Sequence, residues 1–259
     1  MWTRRKTDFL RRSTYGSFVA LALVSAGALA GCGETDALGA VGPPLAQQRF
    51  LIEHNATDED TGFQLFVDGE PWRKLEVSGP RGEVLAVEAR GPLARFGLTE
   101  AFFETNEPEA DEVPLQRILT RFPPGSYDFS AINAQNETRM RSTATLSHDI
   151  PAEPEITVPA EDAVVDTKDL RIAWNPVTET ITGDPVDLVG YQVIVTREEE
   201  DEEPVAFHFE SEMSVFVPAS TTSITVPPEF LETGLEYEIE ILAIEASGNQ
   251  TIGAVTFRT

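Results

Sequence analysis

The sequence predicts an all-β fold: two tandem β-sandwiches behind a leader and a flexible tether. Three observations point there. Short segments alternate apolar and polar residues, as in "EYEIEILAIEA", where Tyr237, Ile239, Ile241 and Ala243 alternate with Glu236, Glu238 and Glu240; a period of two is that of a half-buried strand. Clusters of Pro, Gly and Asn recur between these segments at turn spacing. Finally, a chain of 259 residues that is 41% hydrophobic and has one cysteine can fill two cores but form no internal disulfide.

Residues 1–31 read as an export signal. A basic region from Arg4 to Arg12 precedes an apolar run from Phe18 to Ala30 and a small-residue exit. The apolar run is shorter than the ~20 residues a membrane-spanning helix needs. "LAGC" (Leu29, Ala30, Gly31, Cys32) then resembles the bacterial lipobox. The resemblance implies that the Cys32 thiol is diacylated, that the chain is cut before it, and that the new N-terminus is acylated. Several acyl chains anchor stably where one binds only marginally. The alternative is an ordinary secretory signal that contains a cysteine. Two arginine pairs, Arg4-Arg5 and Arg11-Arg12, invite a twin-arginine reading, but Phe9-Leu10 falls two residues late for that motif. Gly33 stands where an inner-membrane retention aspartate occurs in enterobacteria. The expected location is therefore the bacterial cell envelope, at the outer membrane if the cell has one, held by the N-terminal lipid.

Residues 32–48 comprise Cys32 and a small, polar, Gly- and Pro-containing tether. Residues 49–150 are expected to form the first β module, an immunoglobulin-like sandwich with a helical excursion that, through "TDEDTGFQ" and "DGEPW", resembles an uncharacterised bacterial β-sandwich module and implies no activity. Its strand candidates are "RFLIEHNA", "GFQLFVD", "KLEVSG", "EVLAVEARG" and "LTEAFFETN". Leu115, Ile118, Leu119 and Phe122 fall at helical spacing between Pro114 and Pro123, predicting one short helix. A hairpin follows, with its turn near Gln135-Asn136. Pro151, Pro154 and Pro159 mark a boundary near residue 151.

Residues 151–259 read more sharply. "KDLRIAWNPV" and "LVGYQVIVTRE" alternate toward Trp174 and through Tyr191, Val193 and Val195, and "PVAFHFE", "MSVFVPA" and "AVTFRT" are further short strands. Trp174 in the second strand, Tyr191 in the third, and the Leu231, Gly234, Tyr237 passage together resemble a fibronectin type III module. The resemblance implies a sandwich in which the Tyr237 hydroxyl bonds back to the backbone as a tyrosine corner. There is no "RGD", so integrin-type binding is not implied.

Net charge is −25; without residues 1–31 there remain 14 basic against 43 acidic side chains, a net of −29. Such a surface repels nucleic acid and anionic lipid head groups. Asp58 and Asp60 in "NATDEDTG" offer hard oxygen ligands one residue apart, as calcium loops do. Position twelve of a loop starting at Asp58 is Gly69, however, and the alternative is a polar turn. Trp72 in "DGEPW" is a candidate exposed platform for a sugar or peptide; the alternative is a core residue. The six consecutive acidic residues 198–203 read as a solvated loop or a cation site. His54, His148 and His208 lack metal-ligand spacing, and no nucleophile, zinc or phosphate-loop motif occurs, so no catalytic residue, metal or cofactor is implied. The expected function is a non-catalytic, lipid-anchored envelope protein that presents β-sandwiches to a protein or glycan. The alternatives are a calcium-dependent adhesion or matrix protein, or an accessory domain of polysaccharide-processing machinery.

Overall fold

A computed structural model describes residues 41–198 and 211–259, all of which belong to one compact unit. The leader with Leu29, Ala30, Gly31 and Cys32, the tether up to residue 40, the acidic residues 199–203, and the expected strand 204–210 with His208 lie outside the described residues.

The first module contains β1 (Gln47–Asn55), β2 (Asp60–Gly79), β3 (Gly82–Glu88), α1 (Pro92–Phe96), β4 (Leu98–Glu104), α2 (Leu115–Arg121), β5 (Gly125–Asn133) and β6 (Arg139–Leu146). The second contains β7 (Ile156–Val158), β8 (Ala163–Val164), β9 (Arg171–Trp174), β10 (Leu188–Arg197), β11 (Glu212–Pro218), β12 (Ser223–Thr225), β13 (Glu236–Glu245) and β14 (Gln250–Arg258). The chain is all-β with two short helices.

In the second module the sheet β12-β9-β7 faces the strands β11-β10-β13-β14. Three strands facing four in this order is a fibronectin type III-like arrangement. The inward alternation of β10 and β13 fills the core with Tyr191, Val193, Val195, Tyr237, Ile239 and Ile241, against Ile172 and Trp174 from β9. Trp174 meets Tyr191 edge-on, with ring centroids 5.3 Å apart. The Tyr237 hydroxyl accepts a hydrogen bond from the Glu232 backbone N–H at 2.8 Å, which pins the chain entering β13. Leu231 is buried beside it.

The first module is built around one strand. "GFQLFVD" and "KLEVSG", expected as separate strands, are halves of the 20-residue β2. The first half pairs with β1 and β4, the second with β3 and β5, and the register shifts on either side of Trp72. Those shifts bend β2 so that its two halves face each other across a core. Phe50 of β1 meets Tyr127 of β5 across it, with ring centroids 4.6 Å apart. The bend also corrects the expectation for Trp72. Its ring is wholly buried, 0% exposed, among Leu75, Val77 and Phe129, so it presents no platform to solvent. α2 lies where the helical spacing predicted and buries Ile118, with Leu115, Leu119 and Phe122 packed on the same core. The "RG" end of the expected strand "EVLAVEARG" instead leads into α1, because Gly91, at φ 59°, turns the chain out of the sheet.

The cores meet at residues 150–152. Ile150 belongs to the first and Ala152 packs on the second. Between them the sheet does not stop: β1 pairs with β14 in parallel, Glu53 opposite Gln250 and Asn55 opposite Ile252. One sheet therefore runs from β11 through β14 and β1 to β6.

Candidate functional site

The β1–β14 seam is where the described residues depart furthest from ordinary sandwich chemistry. A free outer strand exposes unpaired N–H and C=O groups; here β1 covers that edge of the second module. Beyond the ladder, the Ala56 N–H donates to the Ile252 carbonyl at 3.0 Å and the Ala254 N–H to the Thr57 hydroxyl at 2.9 Å. Asn249, fully buried, accepts from the Ile52 N–H at 2.9 Å and donates to the Ser147 hydroxyl at 2.8 Å. The Thr251 hydroxyl donates to the Pro151 carbonyl at 2.6 Å, which holds the linker down across β14.

Within this seam lies a buried acid. Phe50 and Ile52 point into the first core, so by alternation Glu53 points to the opposite face of the sheet. Its carboxylate accepts from the Gln64 amide at 2.8 Å and from the Gln250 amide, one donor from each module. Gln64 also donates to Glu104 at 3.0 Å. Glu107 reaches the same spot because residue 62 is glycine: a Cβ there would stand 2.6 Å from the Glu107 Cγ. Ligand atoms of Glu53, Glu104 and Glu107 lie within 4.8 Å of one another.

Burial pushes the Glu53 carboxyl up to about 8, and the neighbouring Glu107, Glu104 and Glu240 push the same way, against the hydrogen bond from Gln250. Glu53, Glu104 and Glu107 are the described residues placed to hold a divalent cation, which would take oxygen ligands. The buried position and the raised pKa describe a carboxyl that holds its proton near neutrality.

The residues singled out in the sequence lie elsewhere. Asp58 sits in the β1–β2 turn, where its carboxylate accepts from the Asn55 amide at 3.1 Å, and the Asn55 side-chain oxygen caps the Thr57 and Asp58 N–H groups. Asp60 is buried at the start of β2. No third carboxylate or histidine among the described residues joins them in a ligand cluster. His54 binds the Asp60 carbonyl at 3.1 Å and the Thr61 hydroxyl at 2.9 Å, and burial lowers its pKa. His148 binds the Phe122 carbonyl at 2.8 Å. Trp174, Tyr191, Leu231 and Tyr237 are core residues. Sequence reasoning missed Glu53, Glu104 and Glu107 because only strand pairing brings them together. The weak trace in the sequence is that Glu53 interrupts the apolar stretch "RFLIEHNA".

No family model and no curated protein matches the chain. Among solved structures it is similar to the third fibronectin III domain of the human KIAA0343 protein, with a TM-score of 0.32 and 19% identity over 44% of this chain and 86% of that one. It is also similar to the FN1–FN3 domains of chicken CNTN1, with a TM-score of 0.31 and 15% identity over 85% of this chain and 66% of that one.

Proposed function

We propose that the protein is a lipid-anchored component of the bacterial cell envelope. It holds a fibronectin type III-like module outward from the membrane, in fixed orientation to the first module, for contact with a protein or glycan, without catalysis. The observation that carries this reading is the parallel β1–β14 pairing. Two modules joined by a linker alone swing independently, whereas a shared sheet fixes their relative orientation, as a display stand requires. The anchor rests on the lipobox resemblance at Cys32. No helix among the described residues is long and apolar enough to cross a membrane.

Charge supports the direction of display. Residues 49–150 carry 10 basic and 18 acidic side chains, net −8, and residues 151–259 carry 4 and 23, net −19. The more acidic module is the one an anionic membrane surface repels. The test is crosslinking in cells, with captured partners identified by mass spectrometry and a Cys32→Ser control. A recurrent partner lost in the control, with crosslinks mapping to residues 151–259, supports the reading. Equal capture with and without the anchor contradicts it.

A further inference from the structure

Beyond the seam, α1 departs most from the rest of the surface. This five-residue helix buries none of its residues; Leu93 is 56% and Phe96 78% exposed. Glycines at positive φ, Gly91 at 59° and Gly97 at 80°, set it out from the strands on either side. Around it, Ala89 to Thr99 contain two arginines and no acidic residue, in a chain with 44 acids. The Arg90 side chain is 87% exposed and pairs loosely with Glu88 at 3.6 Å. Arg95 is exposed and pairs with no carboxylate among the described residues. An apolar tip flanked by arginines, on an acidic protein, is a local reversal of surface character.

Its position gives the reversal a meaning. Gly97 packs on Pro71 and Ala134, where a Cβ would stand 2.7 and 2.9 Å from theirs. Ala134 donates its N–H to the Pro71 carbonyl at 2.8 Å, so α1 rests on the turn of the β5–β6 hairpin. The other arm of that turn receives the incoming chain: Val41 bridges Arg139 in parallel, and the Gly42 N–H donates to the Arg139 carbonyl at 2.9 Å. The described chain thus emerges at the pole that carries α1. Eight residues separate Val41 from Cys32, and the nine Cα–Cα steps between them span at most about 30 Å. The second module attaches at the opposite end of β1: Gln47 lies opposite Asp68 near the α1 pole, and Asn55 lies opposite Ile252.

We infer that the α1 pole is a membrane-contact surface, in which Leu93 and Phe96 enter the interface of an anionic bilayer while Arg90 and Arg95 face its phosphates. The inference rests on the anchored reading and extends it: the lipid holds the chain at the bilayer, and the pole sets which way up it stands. Apolar side chains at the acyl boundary and arginines at the headgroups are the chemistry of interfacial attachment. A lipid surface fits better than a protein partner because the tether delivers this pole to the bilayer.

The full chain, made in a bacterium and reconstituted in vesicles of equal parts phosphatidylethanolamine and phosphatidylglycerol, provides the test. The mass of its N-terminal peptide reads lipidation of Cys32 separately. An environment-sensitive fluorophore is placed at Leu93→Cys or, as a control in the second module, at the exposed Val164→Cys. The expected result is blue-shifted emission at 93, quenched by spin-labelled lipid, and water-like emission at 164. Replacing Arg90 and Arg95 by Gln lowers the ratio of lipid-inserted to water-exposed α1 about thirtyfold, taking both arginines at the surface together. Water-like emission at 93 in a lipidated chain overturns the inference and leaves the anchor standing. An N-terminal peptide without lipid overturns the anchored reading and this inference with it.

Discussion

The two modules fix a strand by the same device and close their cores by different ones. In the second, the Tyr237 hydroxyl accepts from the Glu232 N–H five residues upstream. In the first, the Tyr127 hydroxyl donates to the Pro123 carbonyl four residues upstream, with Gly79 leaving space for the ring. Both tie the chain entering a strand to that strand's own tyrosine. The cores then diverge. The second module encloses its core between two sheets of separate strands, so each strand can be recognised alone. The first encloses its core by bending β2 back on itself, so its closure depends on one buried residue at the bend. A fold distributed over many alternating strands is legible locally; a fold that hinges on one bent strand is not.

Trp72→Ala is the harshest way to break that comparison. Removing a wholly buried indole at the bend of β2 costs about 3–5 kcal/mol, and chemical denaturation should show the first module unfolding early. Because β1 covers β14, the second module's transition should shift with it. An unshifted second transition would mean that the modules are independent.

The next effect comes from pH. The folded Glu53 carboxyl titrates at about 8, against an ordinary 4.5. The native state therefore holds the proton more tightly than the unfolded chain does. The stability this provides is fully present below about 4.5 and is lost as pH rises through about 8. The loss is on the order of a few kcal/mol, distributed over the coupled acidic neighbours. Melting curves across this range should slope downward with pH for the natural chain and flatten in Glu53→Gln.

A smaller loss, about 2 kcal/mol, is expected for Asn249→Ala, which leaves the buried Ile52 N–H without its acceptor. The smallest, about 1 kcal/mol each, belongs to Tyr127→Phe and Tyr237→Phe, which remove one hydroxyl contact apiece. A matched pair of values would support the equivalence of the two tyrosine devices; a negligible value for Tyr127 would confine the device to the second module.

The alternation through Tyr191 and Tyr237 made the second module readable, because period two in the chain becomes inside and outside in a sandwich. α2 was readable from the spacing of Leu115, Ile118 and Phe122. The unity of β2 was not, since "DGEPW" has turn composition and only pairing of Trp72 with Leu98 and Asn133 carries the strand through it. The seam was not legible either. Parallel pairing of β1 with β14 joins residues about 200 positions apart, and no local pattern encodes which strand covers a sheet edge. Glu53 became chemically distinctive only once Gln250 and Glu104 surrounded it.

The β1–β14 seam makes the two modules one rigid body. Native-state hydrogen exchange at the backbone amides of Ile52, Ala56 and Ala254 tests it most directly, since each donates into the seam or its flank. A rigid seam gives protection at these amides comparable to the central amides of β2 and β13. Exchange at loop rates, with the strand centres still protected, would show the seam opening while both modules stay folded and would contradict it.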